Sequence, residues 1–132
     1  MKKNSFCCVF LSFFLLSGCS SSMDYILLEE DAIKELPDVF NYVDELQSTN
    51  TKYKGYKIFN ASGKEKIVVI SSGKDDVTLR VNDASKSSLD TSLTVVKVDE
   101  KSGQKNSYIA VKISEIVGAF SVLELDQYEE AS

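Results

Sequence analysis

No histidine occurs among the 132 residues. The side chain most used as a general base near neutral pH is therefore missing, and with it the Ser-His-Asp arrangement and any His-ligated metal site. Cysteine is scarce and confined, with Cys7, Cys8 and Cys19 all lying within the first nineteen residues. Proline occurs once, at Pro37. The apolar stretch over residues 6–16 is 11 residues long, well short of the roughly 20 that a membrane-spanning helix needs. It has the length of a signal-peptide core instead. Positive charge is also in short supply. There are 15 Lys and Arg against 20 Asp and Glu, a net charge of −5, which argues against a nucleic-acid partner.

The opening nineteen residues divide into three zones with separate physical jobs. Lys2 and Lys3 form a positive flank that stays on the cytoplasmic side during export, residues 6–16 form the apolar core, and Leu16-Ser17-Gly18-Cys19 follows. These four residues resemble the bacterial lipobox, a leucine and two small residues before a cysteine. The resemblance implies cleavage between Gly18 and Cys19, a diacylglyceryl thioether on Cys19 and, usually, acylation of the new amino group. Ser20, Ser21 and Ser22 then read as a flexible tether. One buried acyl chain binds only marginally, at about 0.8 kcal/mol per CH₂, whereas two or three hold a protein almost permanently.

The expected organisation is a removed signal peptide over 1–18, a lipidated cysteine and short tether over 19–23, a single domain over 24–126 and an acidic tail over 127–132. Lipid on Cys19 would hold the domain at the extracytoplasmic face of the cell membrane. Cys7 and Cys8 leave with the leader and Cys19 carries lipid, so no thiol remains for a nucleophile, a disulfide or a metal site. Loss of Lys2 and Lys3 leaves 13 basic residues against 20 acidic ones, a net charge of −7. The charge is unevenly placed. Residues 24–48 hold eight acids and Lys34 alone, whereas residues 52–74 hold six lysines and Glu65 alone.

Pro37 suits the first residue of a helix, where its missing N–H costs nothing. Val39, Phe40, Val43 and Leu46 recur behind it at three- and four-residue spacing, an apolar stripe running to about Gln47. Ahead of it, residues 25–28 read as a strand. From Tyr56 the period changes to two, with turn residues at the intervals of an antiparallel meander. Ile67-Val68-Val69-Ile70 is apolar on both faces, as a central strand would be. Val77, Leu79 and Val81 alternate with Thr78, Arg80 and Asn82, then a polar stretch runs over 83–91. Residues 93–98 and 108–113 form the next pair of strands, and Phe120, Val122, Leu123 and Leu125 close the sheet. The predicted fold is α+β, one N-terminal helix packed on an antiparallel meander sheet of about five to six strands.

This order of elements is similar to that of the small exported domains of the protease-complex-subunit (PrcB-like) family. The matching stretches are Glu35-Leu36-Pro37, Gly55-Tyr56-Lys57-Ile58-Phe59 and Ile67-Val68-Val69-Ile70-Ser71-Ser72-Gly73. Where that family commonly continues with a Thr-Gly-Gly-Tyr turn, this chain has Asp75-Asp76-Val77-Thr78. The resemblance implies a small, non-catalytic domain that binds or stabilises another exported protein.

Three patterns bear on catalysis and ligand chemistry. Ser71-Ser72-Gly73-Lys74 fits Ser-x-x-Lys, and Lys101-Ser102-Gly103 fits the Lys-Ser-Gly element that accompanies it in penicillin-interacting enzymes. That chemistry needs its serine at a helix start in a water-poor cleft, whereas here it falls where a strand meets a turn. Asp75, Asp76, Asp83 and Asp90 cluster in sequence without the spacing of a calcium loop, and read as solvated loop acids. Asn60-Ala61-Ser62 matches a glycosylation acceptor, which carries little meaning behind a lipobox. No enzyme activity, metal or cofactor is expected.

The most suggestive surface is the lysine-rich hairpin of Lys52, Lys54, Lys57, Lys64, Lys66 and Lys74, interleaved with Tyr53, Tyr56 and Phe59. Lysines blunt an exposed strand against aggregation, and aromatics between them fill a core. The same residues could face anionic headgroups or a partner, worth roughly 1 kcal/mol per lysine at a membrane. The expected function is a membrane-anchored, non-catalytic protein-binding module for an exported partner. The alternative is a small-ligand binder with a pocket between helix and sheet.

Overall fold

A computed structural model describes residues 21–50 and 52–126. The expected leader over 1–18, the lipid site at Cys19 and the acidic tail over 127–132 lie outside the described residues. The elements in chain order are β1 (Ser21–Ser22), β2 (Tyr25–Leu27), α1 (Glu30–Lys34), α2 (Pro37–Ser48), β3 (Lys54–Asn60), β4 (Lys66–Ser72), β5 (Thr78–Lys86), β6 (Asp90–Val98), β7 (Tyr108–Ile113) and β8 (Ala119–Asp126).

Pro37 opens α2, with extended Leu36 as its N-cap. Val39, Val43 and Leu46 form the buried stripe, whereas Phe40, expected on it, is 39 % exposed. The unexpected α1 is a single turn with Glu30 and Asp31 at its start, Lys34 at its end and Ile33 buried. That charge order suits the helix dipole. β4 explains why the chain has three layers. Ile67 and Val69 pack with Ile33, Val39, Val43 and Leu46, while Val68 and Ile70 pack with Leu79, Leu93 and Val95. A strand apolar on both faces needs a cover on each side.

The predicted helix on a single meander sheet is overturned. The described chain is mostly β, eight strands in two four-stranded sheets with only two short helices. Sheet one runs β1-β5-β6-β8 and sheet two runs β2-β7-β4-β3. The helices cover the outer face of sheet two. The cause lies in residues 83–91, expected as a polar connection. A bulge between Val81 and Asp83 shifts the alternation, so that Ala84 rather than Asp83 turns inward. Ala84 and Thr91 are 1 % and 0 % exposed, and β5 and β6 become strands of nine residues each. The meander fails again at β8, which pairs with β6 in parallel after β7 has crossed into sheet two.

Of the stretch expected as a tether over 19–23, residues 21–23 lie within the fold. Ser21 and Ser22 pair with Lys86 and Ser85, and Met23 is a core residue.

Candidate functional site

The β3–β4 hairpin carries the lysines, but the fold spreads them out. Lys54 at the start of β3 pairs with Ser72, and Asn60 at its end pairs with Lys66. Seven residues of strand separate the two ends by roughly 20 Å. Lys52, Lys54 and Lys74 therefore sit at one end, and Lys64 and Lys66 at the other. Several are already engaged. Lys52 lies 3.7 Å from Asp75, Lys54 lies 2.9 Å from Glu124, and Lys66 Nζ donates to Asn60 Oδ1 at 2.6 Å. Lys57 points toward the helices, its amine 5.3 Å from the Tyr42 ring centre and 5.5 Å from that of Phe59. Six lysines that look like one patch in sequence make no single cationic face.

The aromatics between them converge instead. α2 and its C-terminal turn supply Tyr42, Glu45, Leu46 and Thr49, and Tyr53 ahead of β3 with Tyr56 and Lys57 within it complete an open groove of about 310 Å³. Two edge-on ring contacts frame it, Tyr42 with Phe59 at 5.7 Å and Tyr56 with Phe120 of β8 at 5.2 Å. Such pairs are worth about 0.5–1.5 kcal/mol beyond the area they bury. Gly55 allows Tyr53 its place: a Cβ there would come 2.7 Å from Tyr53 Oη, so any side chain would displace the ring. Burial, then Tyr53, then Glu45 raise the Tyr42 phenol above its ordinary value of 10.0. It stays protonated and able to donate a hydrogen bond.

β3 pairs only with β4 among the described residues. Along this free edge Tyr53, Tyr56 and Ile58 are 48 %, 38 % and 38 % exposed. Tyr53 and Tyr56 stand out in sequence as aromatics among lysines, whereas Tyr42 and Leu46 read there only as part of a helix. Their spacing carries no sign that the C-terminal half of α2 lies beside β3.

The other sequence patterns are absorbed by the fold. Ser71 is buried, and its Oγ donates to the Gly55 carbonyl at 3.3 Å. Ser72 Oγ accepts from the Lys74 N–H at 3.1 Å, and Ser102 Oγ accepts from the Gln104 N–H at 3.2 Å. Asp75 is beside Lys52, and Asp90 Oδ1 accepts from Ser87 Oγ at 3.0 Å. Asp76 lies in the turn before β5 and Asp83 lies within that strand, so the four aspartates are spread along the length of sheet one. Among the described residues, no three Asp, Glu, His or Cys side chains converge on a possible metal position. No helix among them is long and apolar enough to cross a membrane.

The remaining polar feature is a buried hub at Asn106, 1 % exposed. Its Oδ1 accepts from the Gly73 N–H at 2.8 Å, and its Nδ2 donates to the Tyr53 carbonyl at 2.8 Å. Gln47 of α2 donates to the Asn106 carbonyl at 2.7 Å and accepts from its N–H at 3.2 Å. One asparagine thus ties the end of α2, the entry to β3 and the β4–β5 turn into a frame for the groove.

Fold and site together define a small β-sandwich with a helical layer on one face and an aromatic groove beside a free strand edge. The uncharacterised protein YycS of Bacillus subtilis (strain 168) is 35 % identical over 128 residues, covering 92 % of this chain and 91 % of the relative. The chain belongs to the YycS family. No family model matches it, and no solved structure matches it.

Proposed function

We propose that the protein is a membrane-anchored bacterial surface lipoprotein whose domain is a non-catalytic binding module, and that an exported protein docks in the groove along β3. The anchor rests on the lipobox-like Leu16-Ser17-Gly18-Cys19 behind a short apolar leader. The docking reading is carried by one observation, the free edge of β3 with Tyr53, Tyr56 and Ile58 exposed along it. An unpaired edge offers main-chain donors and acceptors to an extended segment, and adjoining aromatics supply the anchors that dominate interface energies. Lys54 and Lys57 on the same strand guard it against indiscriminate pairing. Confinement to a membrane raises the effective concentration of both partners, so modest affinity suffices.

A second reading is a small-ligand binder, favoured by a groove volume of about 310 Å³ that falls at the low end of ligand sites, roughly 300–1,000 Å³. The test uses a photo-crosslinking amino acid at Tyr53 in the lipidated chain, within its own membrane, with the same probe at Arg80 on sheet one as control. A recurrent exported protein captured at position 53 and absent at position 80 is expected. Equal capture at both positions overturns the docking reading. A small molecule seen in native mass spectra of the wild type and lost on Tyr53→Ala would favour the second. Mass analysis of the N-terminal peptide tests lipid on Cys19 separately, and Cys19→Ser should release the protein from membranes.

A further inference from the structure

One end of the sandwich is marked by the entering chain. Ser21 of β1 pairs with Lys86 at the end of β5, and Thr91 near the start of β6 pairs with the same lysine. The end of β7 and the start of β4 meet there as Ile113 and Lys66, and β8 begins there with Ala119 beside Asp90. Three connections project from this end, over residues 61–65, 87–89 and 114–118.

The middle one carries Leu89, at 78 % the most exposed large hydrophobic among the described residues. Its turn is firmly built. Ser87 Oγ accepts from the N–H groups of Leu89 and Asp90 at 3.1 and 3.2 Å. The Ser87 N–H donates to the Asp90 carbonyl at 2.8 Å, and the Leu89 carbonyl accepts from Ala119 N–H at 3.3 Å. A single exposed leucine is ordinary on a protein surface, and what sets Leu89 apart is that a hydrogen-bonded turn holds it out at the end where the chain enters the domain.

We propose that this end is the membrane-contact face, with Leu89 inserted at the boundary between headgroups and acyl chains and the β3 groove turned away from the bilayer. The proposal rests on lipidation of Cys19. Ser20 alone separates that cysteine from β1, and two residues span at most about 7 Å, comparable with the 5–10 Å depth of interfacial insertion. The end cannot then rise clear of the headgroups. Electrostatics contribute little to this contact. Lys64, Lys66, Lys86 and Lys112 are offset by Asp24, Glu65, Asp90 and Glu115, with Lys86 2.6 Å from Glu115 and Lys112 3.9 Å from Glu65. The contact is apolar and indifferent to anionic lipid.

The chain has no tryptophan, so an indole at one position reports on that position alone. Full-length lipidated Leu89→Trp, and Lys101→Trp on the opposite end as control, would be reconstituted into phosphatidylcholine vesicles with brominated acyl chains. Companion vesicles would contain phosphatidylglycerol. Leu89→Trp emission should be quenched at least about twofold in both compositions and Lys101→Trp should be unchanged, as the depth of interfacial side chains implies. Unquenched Leu89→Trp in protein that floats with vesicles and carries the Cys19 lipid mass overturns the inference and leaves the anchor standing. Quenching that appears only with phosphatidylglycerol overturns the apolar contact. Absence of both the lipid mass and flotation overturns the anchor and the inference together.

Discussion

Asn106 offers the sharpest test of how the groove is held together. Replacing it with alanine removes the acceptor for Gly73 N–H and the donor to the Tyr53 carbonyl, both at 2.8 Å. Each main-chain group left without a partner in a buried site costs about 1–3 kcal/mol, so Asn106→Ala should lose roughly 2–6 kcal/mol. Against a total stability of about 5–15 kcal/mol, that is a large share. At about 4–8 °C per kcal/mol for a domain of this size, a loss near 3 kcal/mol lowers Tm by roughly 12–24 °C. Asn106→Asp keeps the acceptor but sets a carboxylate oxygen against the Tyr53 carbonyl. It should be at least as damaging at neutral pH and recover partly in acid, once the protonated carboxyl can donate. Urea unfolding of the Cys19→Ser chain, followed by circular dichroism, reads both variants, with exposed Asn41→Ala as reference. A cost for Asn106→Ala within about 0.5 kcal/mol of that surface change would refute the account of the hub.

Two further variants probe the end that carries Leu89. Gly118 has φ +64, and a Cβ there would collide with the Leu89 carbonyl. Gly118→Ala combines left-handed strain with a backbone clash and should cost more than about 2 kcal/mol in the same unfolding assay; a smaller loss would mean that the turn shifts freely. Glu115 is held below its ordinary value of 4.5, first by the hydrogen bond from Lys86 and then by that lysine's charge. Since the folded pKa is depressed, the stabilisation is present above the ordinary carboxylate value and is lost as pH falls through the lower folded value. Stability of Glu115→Gln, compared with wild type by urea midpoints across that acid range, should lack this part of the slope. Identical pH profiles would rule the contact out as a source of it.

Most individual elements are legible in the sequence, whereas their assembly is not. Pro37 and the stripe of Val39, Val43 and Leu46 announce α2, because helix initiation and amphipathic spacing are local properties. Ile67-Val68-Val69-Ile70 announces a doubly covered strand, and β4 does lie between β7 and β3. What local patterning cannot carry is the sheet to which each strand belongs. The chain leaves sheet two after Gly73 and enters sheet one as β5, and nothing in the alternation of Leu79 and Val81 distinguishes that from continuing a meander. Residues 83–91 mislead for a different reason: only Ala84 and Thr91 point inward there, and neither is a strong hydrophobic signal. The groove is missed similarly. Tyr53 and Tyr56 are visible as a cluster, but their partner Tyr42 comes from an element whose docking is set by the far side of sheet two.

On the proposed anchor and docking site, the geometry also decides what should control binding at the groove. Asn60 lies at the end marked by Ser21, and Tyr53 and Tyr56 lie toward the other. At about 3.4 Å per residue, the groove residues Lys57 to Tyr53 stand roughly 10–24 Å from the Ser21 end. That exceeds the screening length of about 8 Å at physiological ionic strength, so the field of an anionic surface beneath that end is largely spent at groove height. Affinity of the lipidated protein for its partner should therefore be insensitive to phosphatidylglycerol content, while responding to salt through the local charges of Lys52, Lys54, Lys57 and Glu45. Measuring partner binding on supported bilayers of graded phosphatidylglycerol content separates the two. A several-fold change in affinity with lipid charge at fixed salt would place the binding surface beside the membrane, and Lys64 of the 61–65 turn with Lys66 at the start of β4, rather than the tyrosines of β3, would then be the residues to alter.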